Sequence, residues 1–321
     1  MIDPYPKKCI TIITPVYNEE QNVKDCYQEI VNIFKDRLSK YDYEHIFCDN
    51  NSTDNTVNIL KQIAKNDKNI KIIVNSRNFG ILRSTFHGLL NASGDAVVVL
   101  FAADLQDPPG AIADFVEKWE QGYQIVYGVK QDREENFVMR SIRQLYYKMI
   151  RRFSYIDIPR NVNAFQLIDR TVLNALKQFE DYYPSLRGMI ASCGFRSVGV
   201  NITWRKRKKG ISKNRLFHLV DEGLNDLISF SNLPMRLSIF LGLIISTASF
   251  VRVLYSLGMN FIQNDILIQP GIPTLIVAIF FFSGVQLIFL GVLGEYICAI
   301  HFQVRKRPLI IEKERINFEK T

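Results

Sequence analysis

The first half of the chain alternates between two hydrophobic patterns. "CITIITPVY", "YEHIFCD", "IKIIVNS", "DAVVVLFA" and "YQIVYGV" are short apolar runs bounded by turn residues, the pattern of buried strands. Between them apolar residues recur at helical spacing. Over Glu19 to Leu38 these are Val23, Tyr27, Ile30, Val31, Phe34 and Leu38. "DNTVNILKQIAK", "ILRSTFHGLLNA" and "AIADFVEKWEQ" repeat the pattern. Strands alternating with helices of this length predict a mostly parallel sheet covered on both faces. Beyond residue 140 the pattern loosens into a helix at "RSIRQLYYKMIRRF", a strand at "NAFQLI", a helix at "RTVLNALKQF" and a strand at "FRSVGVNITW".

The last third is different. Asn214 to Ser231 places Leu216, Phe217, Val220, Leu224, Leu227 and Ile228 on one helical face and polar residues on the other, which predicts an interfacial helix. Arg236–Gly258 and Ile272–Ile300 are apolar enough to cross a bilayer, which takes about 20 residues. Arg252 and Glu295 lie inside them and are expected to snorkel or to pack against another subunit. The N-terminus lacks the charged start and apolar stretch of a signal peptide.

Charge orients these spans. The net charge is +8, and "WRKRKKGISKNR" concentrates seven Lys/Arg without an acid just before the amphipathic segment. "RKR" follows the second span, whereas "MNFIQNDILIQPG" between the spans has no Lys or Arg. The positive-inside rule therefore places the N-terminal part and the tail in the cytoplasm, at an inner membrane crossed twice. A basic patch beside a membrane points to anionic lipid rather than nucleic acid. The sequence divides into a domain at 1–211, an interfacial helix at 212–234, a hairpin at 235–304 and a tail at 305–321. Five scattered cysteines without metal-type spacing read as reduced core thiols.

Every predicted strand of the first half ends in polar residues: "TPVYNEE", "CDNNS", "NSRNFG", "AADLQDPP" and "GVKQDRE". Ligands of such sheets bind at the carboxyl ends of the strands. Asp49 can accept hydrogen bonds from a ribose or base, although Asp54 or Ser52 can equally cap the next helix. In "ADLQDPP" an Asp-x-Gln precedes two prolines that stiffen the loop into a helix. Asp104 and Gln106 offer oxygen ligands for Mg²⁺ or Mn²⁺, which complete their shells with water and substrate phosphates. Asp107 reads as a cap for the following helix.

Taken in order, "ITIITPVYNEE", "DNNSTDNT", "SRNFG", "ADLQDPP", "GISK" and "GVLGEYI" resemble the polyprenyl-phosphate glycosyltransferases of glycosyltransferase family two. That group includes dolichyl-phosphate mannose synthases and bacterial lipid-phosphate glucosyltransferases with two C-terminal spans. The resemblance implies a GT-A fold, Rossmann-like and α/β. It implies an inverting transfer from a nucleotide-diphosphate sugar (UDP- or GDP-linked) to a polyprenyl phosphate, by an enzyme expected to be a homo-oligomer. It places Pro15, Tyr17, Asn18, Glu19, Asp49, Ser52, Arg77 and Lys130 at the nucleotide sugar. It makes Asp104 and Gln106 the catalytic metal and diphosphate ligands. Arg207, Ser212 and Lys213 match a segment that closes over phosphates. Three departures stand out: Ala102 and Ala164 where acids are usual, and Asn50 for an aspartate. They leave a catalytically degenerate nucleotide-sugar binder or assembly protein as the alternative. A polysaccharide synthase is disfavoured, because its "Q-x-x-R-W" segment and extra spans are missing.

Overall fold

The computed structural model describes residues 7–130, 162–203, 233–263 and 272–318. They fall into two compact units: one of the described residues up to Thr203 together with those from Lys306 onward, and one running from Leu233 to Arg305. The amphipathic segment at 214–231 and the expected helix at 140–153 lie outside the described residues.

The first unit is an α/β layer structure. Its strands are β1 (Cys9–Val16), β2 (Asp42–Asp49), β3 (Ile70–Asn75), β4 (Ala96–Val99), β5 (Ile125–Lys130), β6 (Val162–Asp169), β7 (Ser197–Ile202) and β8 (Glu312–Ile316). The helices are α1 (Val23–Asp36), α2 (Thr56–Asn66), α3 (Ile81–Leu90), α4 (Ala111–Glu120), α5 (Arg170–Leu176) and α6 (Leu186–Ser192). All strands join one sheet in the order β7-β5-β6-β4-β1-β2-β3-β8. Strands β1 to β4 are mutually parallel, as the alternating pattern requires, and so are β5 and β7. β6 runs antiparallel to β4 and β5, and β8 antiparallel to β3.

The continuous apolar runs follow from burial on both faces. In β4, Ala96 and Val98 join a core with α1, α2 and α4, while Val97 and Val99 join the opposite core with α3, α5 and α6. Helix α3 lies unusually close to the sheet. A Cβ on Gly88 would come within 2.6 Å of Cys48 Sγ and 2.9 Å of an Ile13 methyl. Cys26 and Cys48 are core thiols as expected, but Cys9 and Cys193 are half-buried and Cys298 is exposed; all five are free.

Strand β4 is shorter than the run "DAVVVLFA" predicts, because Leu100 turns out of the strand at φ 53°. Two elements escape the sequence pattern. Helix α6 spans seven residues, too few to display a period. Strand β8, "EKERI", is nearly all charged and lies in what reads as a tail.

The second unit consists of α7 (Leu233–Gln263) and α8 (Ile272–Val304). Its large apolar side chains are exposed, among them Phe240, Phe280, Leu287 and Ile288. Within α8, Ala278–Val304 has mean hydropathy 1.8 and is long and apolar enough to cross a membrane. In α7 the apolar run is shorter, Met235–Val251.

Candidate active site

Strand order reverses between β1 and β4, since β2 and β3 extend one way and β4 the other. Such a switch point opens a crevice at the carboxyl ends of the strands. Val16 ends β1 and Asp49 ends β2, in register with each other. The Asp104 loop follows β4.

The mouths of β1 and β2 are tied together by polar side chains. Beyond Pro15, Asn18 adopts a left-handed conformation, φ 54°. Its N–H donates to Ser52 Oγ at 2.8 Å, and its Oδ1 accepts from Thr53 N at 2.7 Å. Glu19 N donates to Thr56 Oγ1 at 2.9 Å. Ser52 in turn donates to Asp49, from Oγ at 2.5 Å and from N at 3.0 Å. Burial raises the Asp49 carboxyl above its ordinary pKa, and the Ser52 bonds pull against that rise. Asp49 thus braces the turn that presents Asn18, Glu19 and Tyr17, all partly exposed. The N-cap of α2 is Asn55 rather than Asp54 or Ser52, and Asp54 sits one residue earlier, its Oδ1 accepting from Thr56 N at 3.0 Å and from the Thr56 hydroxyl at 2.5 Å.

Asn50, the aspartate replacement, is almost fully buried and accepts from Asn75 Nδ2 at 3.0 Å and from Phe79 N at 3.4 Å. Asn75 Nδ2 also donates to Ser84 Oγ at 3.1 Å. This buried link between the ends of β2 and β3 and the first turn of α3 was not anticipated. Its only trace in the sequence is polar residues at positions the apolar period assigns to the interior. The intervening loop carries Arg77, exposed, with its guanidinium 3.9 Å above the Phe79 ring.

After β4, Phe101 returns to the sheet, its N–H donating to Ile13 O at 2.8 Å, and packs against Phe165. The chain then makes a tight turn in which Leu105 N donates to Ala102 O at 3.2 Å, with Leu105 at φ 57°. Asp104 and Gln106 flank Leu105, both partly exposed, and Gln106 N donates to Asp104 Oδ1 at 3.2 Å. A left-handed leucine is costly, and such strain clusters where a loop has to present ligands. Burial drives the Cys26 thiol upward, and the charges of Asp104 and Glu19 add to that rise. Asp107 does not occupy the N-cap position expected of it. The N-cap of α4 is Gly110, without a side-chain bond, and Asp107 is buried at 5% exposure. Arg37 steadies this junction from α1, donating to Gly110 O at 3.0 Å and to Asp114 at 2.8 Å.

Among the described residues no three His, Cys, Asp or Glu cluster as metal ligands. A carboxylate and an amide oxygen two residues apart fit a hard cation that takes its remaining ligands from phosphate and water. Lys130 closes β5 opposite Ile202. Ala164 lies in β6, two residues from Gln166, which faces Val99 of β4. Arg207, Ser212 and Lys213 lie outside the described residues. A cavity of about 670 Å³ opens at the other, amino-terminal ends of β1 to β3, lined by Tyr41, Tyr43, Glu44 and Lys71 among others, away from this chemistry.

Comparison with known proteins identifies the family. The family described as Glycosyl transferase family 2 matches residues 11–177. An uncharacterized glycosyltransferase of Synechocystis, sll0501, is 36% identical over 94% of this chain and 94% of its own length. The bactoprenol glucosyl transferase of Shigella phage SfII is 33% identical over 95% of this chain and 97% of its own length. Among solved structures, the mannosyltransferase PcManGT of Pyrobaculum calidifontis, in complex with GDP-Man and Mn2+, is 20% identical, with TM-score 0.46 over 70% of this chain and 64% of that one. The mixed sheet with helices on both faces is a GT-A fold, and the chain belongs to glycosyl transferase family 2: it is a glycosyltransferase.

Proposed function

We propose that this enzyme transfers a hexosyl group, with inversion, from a UDP- or GDP-sugar to a polyprenyl phosphate at the cytoplasmic face of the membrane. The observation that carries this reading is the extent of the match to the bactoprenol glucosyl transferase. It runs over 308 residues, far beyond the 11–177 family domain and through the apolar helices.

The acceptor explains how the site works without the usual acids. A sugar hydroxyl acceptor has to lose a proton to a base. A phosphate monoester has its second pKa near 6 and is already an anion at pH 7. One of its oxygens attacks the anomeric carbon as the bond to the nucleoside diphosphate breaks, and the negative charge leaves with the diphosphate. Ala102 and Ala164 then cost no proton-transfer step. The chain's remaining task is to orient two anionic substrates and to stabilise the leaving group. Asp49 and Ser52 brace the turn of Asn18, Glu19 and Tyr17 that receives the nucleotide beside Pro15. Asp104 and Gln106 would hold Mg²⁺ or Mn²⁺, which when bound neutralises the leaving diphosphate. Arg77 and Lys130 face the donor phosphates in this reading, and Arg207, Ser212 and Lys213 the lipid phosphate.

The topology supports the cytoplasmic hairpin. β8 pairs with β3, so the chain after α8 belongs to the same unit as the chain before α7. In this reading the chain crosses the membrane out through one helix and back through the other, with α7 as the second span beside α8.

The test is the acceptor. Initial rates with a short-chain polyprenyl phosphate and UDP- or GDP-sugars should rise through about pH 6 and stay flat to about pH 8, following the phosphate. Equal use of the free polyprenol would overturn the reading.

A further inference from the structure

The loop Ser76–Gly80 joins β3 to α3 and carries Arg77. Its start and, about two turns further on, the helix that follows it are fastened by consecutive residues of the C-terminal segment. At its start, Ser76 N donates to Ile311 O at 2.9 Å. At its far side α3 is tied by His87, whose Nε2 lies 2.5 Å from Glu312 Oε1. That pair is largely enclosed, at 18% and 22% side-chain exposure. Glu312 is held in turn by Arg315, through Nε at 2.8 Å and a terminal nitrogen at 2.5 Å. The β3–β8 ladder shifts register between Val74 and Asn75, where Glu312 meets Asn75. The extra residue, Lys313, lies on β8, so the bulge bends the C-terminal strand and brings Glu312 level with Asn75.

The rest of β8 is anchored independently of the loop. Lys61 on α2 pairs with Glu314 at 2.6 Å. Asn317 Nδ2 donates to Ala64 O at 2.8 Å and Ile70 O at 2.9 Å, and Ile310 is buried. β8 is therefore more than a cover for the β3 edge. Its first turn is specialised toward the loop, and its remainder supplies the anchorage.

We propose that Ile311 and Glu312 are positioning residues for the donor site: they hold the Ser76–Gly80 loop, and with it Arg77, against the mouth of β2. The loop reaches that mouth through Phe79 N, which donates to Asn50 Oδ1 beside Asp49. This inference rests on the reading of Arg77 as a donor ligand. With α3 no longer tethered to Glu312, the helix and the loop that leads into it sample more conformers, and the apparent dissociation constant rises as the binding-competent fraction falls. Once donor is bound the competent loop is formed, so turnover at saturation is untouched. Val304 ends α8 only seven residues before Ile311. The segment that leaves the apolar helix is thus the one that completes the donor site.

The full-length protein in detergent, titrated with UDP-glucose and with GDP-mannose, tests this. Glu312→Ala should raise donor Kd and KM about three- to tenfold with kcat within about twofold, by the loss of competent fraction. His87→Ala cuts the same contact from the helix side and should reproduce the effect if the strand variant folds poorly. Glu312→Gln, which keeps an acceptor oxygen, should recover most of the affinity. Glu314→Ala removes an exposed ion pair on the same strand and should leave donor Kd within about twofold. An unchanged Kd in both Glu312→Ala and His87→Ala, with Arg77→Ala weakened, overturns the inference and spares the donor site. Equal losses in Glu312→Ala and Glu314→Ala, with kcat falling too, reduce β8 to a structural edge and overturn it as well. If Arg77→Ala itself binds donor normally, the reading of Arg77 fails, and the inference with it.

Discussion

His45 should make the catalytic unit acid-labile well above the range in which carboxylates titrate. It lies in the middle of β2, fully buried, with its ring 4.0 Å from that of Phe47. Nε2 meets Thr14 Oγ1 at 2.9 Å, and Nδ1 has no hydrogen-bond partner among the described residues. Burial depresses its pKa from 6.5 to about 3. The unfolded chain therefore binds a proton between these values and the folded chain does not. Stability is fully present above the unfolded pKa and is lost as pH falls below it. At pH 5 the loss is about 1.4 kcal/mol for each of roughly 1.5 pH units, or about 2 kcal/mol. The folded value hardly matters to this figure, provided it lies well under 5. With a urea slope of about 2 kcal/mol/M, the midpoint should fall by about 1 M between pH 7 and pH 5. Urea melts of the full chain can be followed by the fluorescence of Trp119, which is packed in this unit's core. In His45→Gln the protein should be less stable at pH 7, but the drop between pH 7 and pH 5 should shrink by most of that 1 M. The other histidines contribute to both proteins and cancel in the difference. An equal pH 7-to-5 drop in wild type and His45→Gln would refute the reasoning.

Two further outcomes bear on the site and its placement. Asp104→Ala should lower kcat at least about 100-fold through lost stabilisation of the leaving diphosphate. Asp107→Ala should instead cost about 1–3 kcal/mol of stability while keeping most activity, because that side chain is buried; melts and initial rates on the two variants decide it. Cysteine-accessibility labelling in intact cells should find 305–321 on the same side as the N-terminal unit and Asn260 to Gln269 on the other, and labelling of the tail from outside would contradict the hairpin.

Much of the fold was legible because burial on both faces leaves a strong signature. A strand with helices on either side is apolar along most of its length, and β1 to β5 carry such runs, with Thr11, Thr14, Glu44 and His45 as buried polar exceptions. The helices α1 to α4 bury one face and show it as a period. The mouths were legible too, because polar residues directly after a buried strand have few structural uses. What could not be read were elements whose stability comes from partners. β8 carries Glu312, Lys313, Glu314 and Arg315 in sequence and has no hydrophobic pattern. It is a strand because β3 offers an open ladder and because Lys61, His87 and Arg315 meet its acids.

The sequence by itself determined the parallel α/β core, the polar strand ends with Asp49, Asp104 and Gln106, and the long apolar helices, since each is a local pattern of solvation. Only the tertiary structure decided the rest. It ended β4 at Val99 by turning Leu100 left-handed, set Ser52 as the clasp between Asn18 and Asp49, and turned Asp107 from an expected cap into a buried group. It brought residues from the far end of the chain to the Arg77 loop: Glu312 lies 225 positions from His87. Contacts of that span leave no periodicity in the chain. They depend on which edge of the sheet remains open once the first strands have assembled, a property of the assembled sheet and not of any segment.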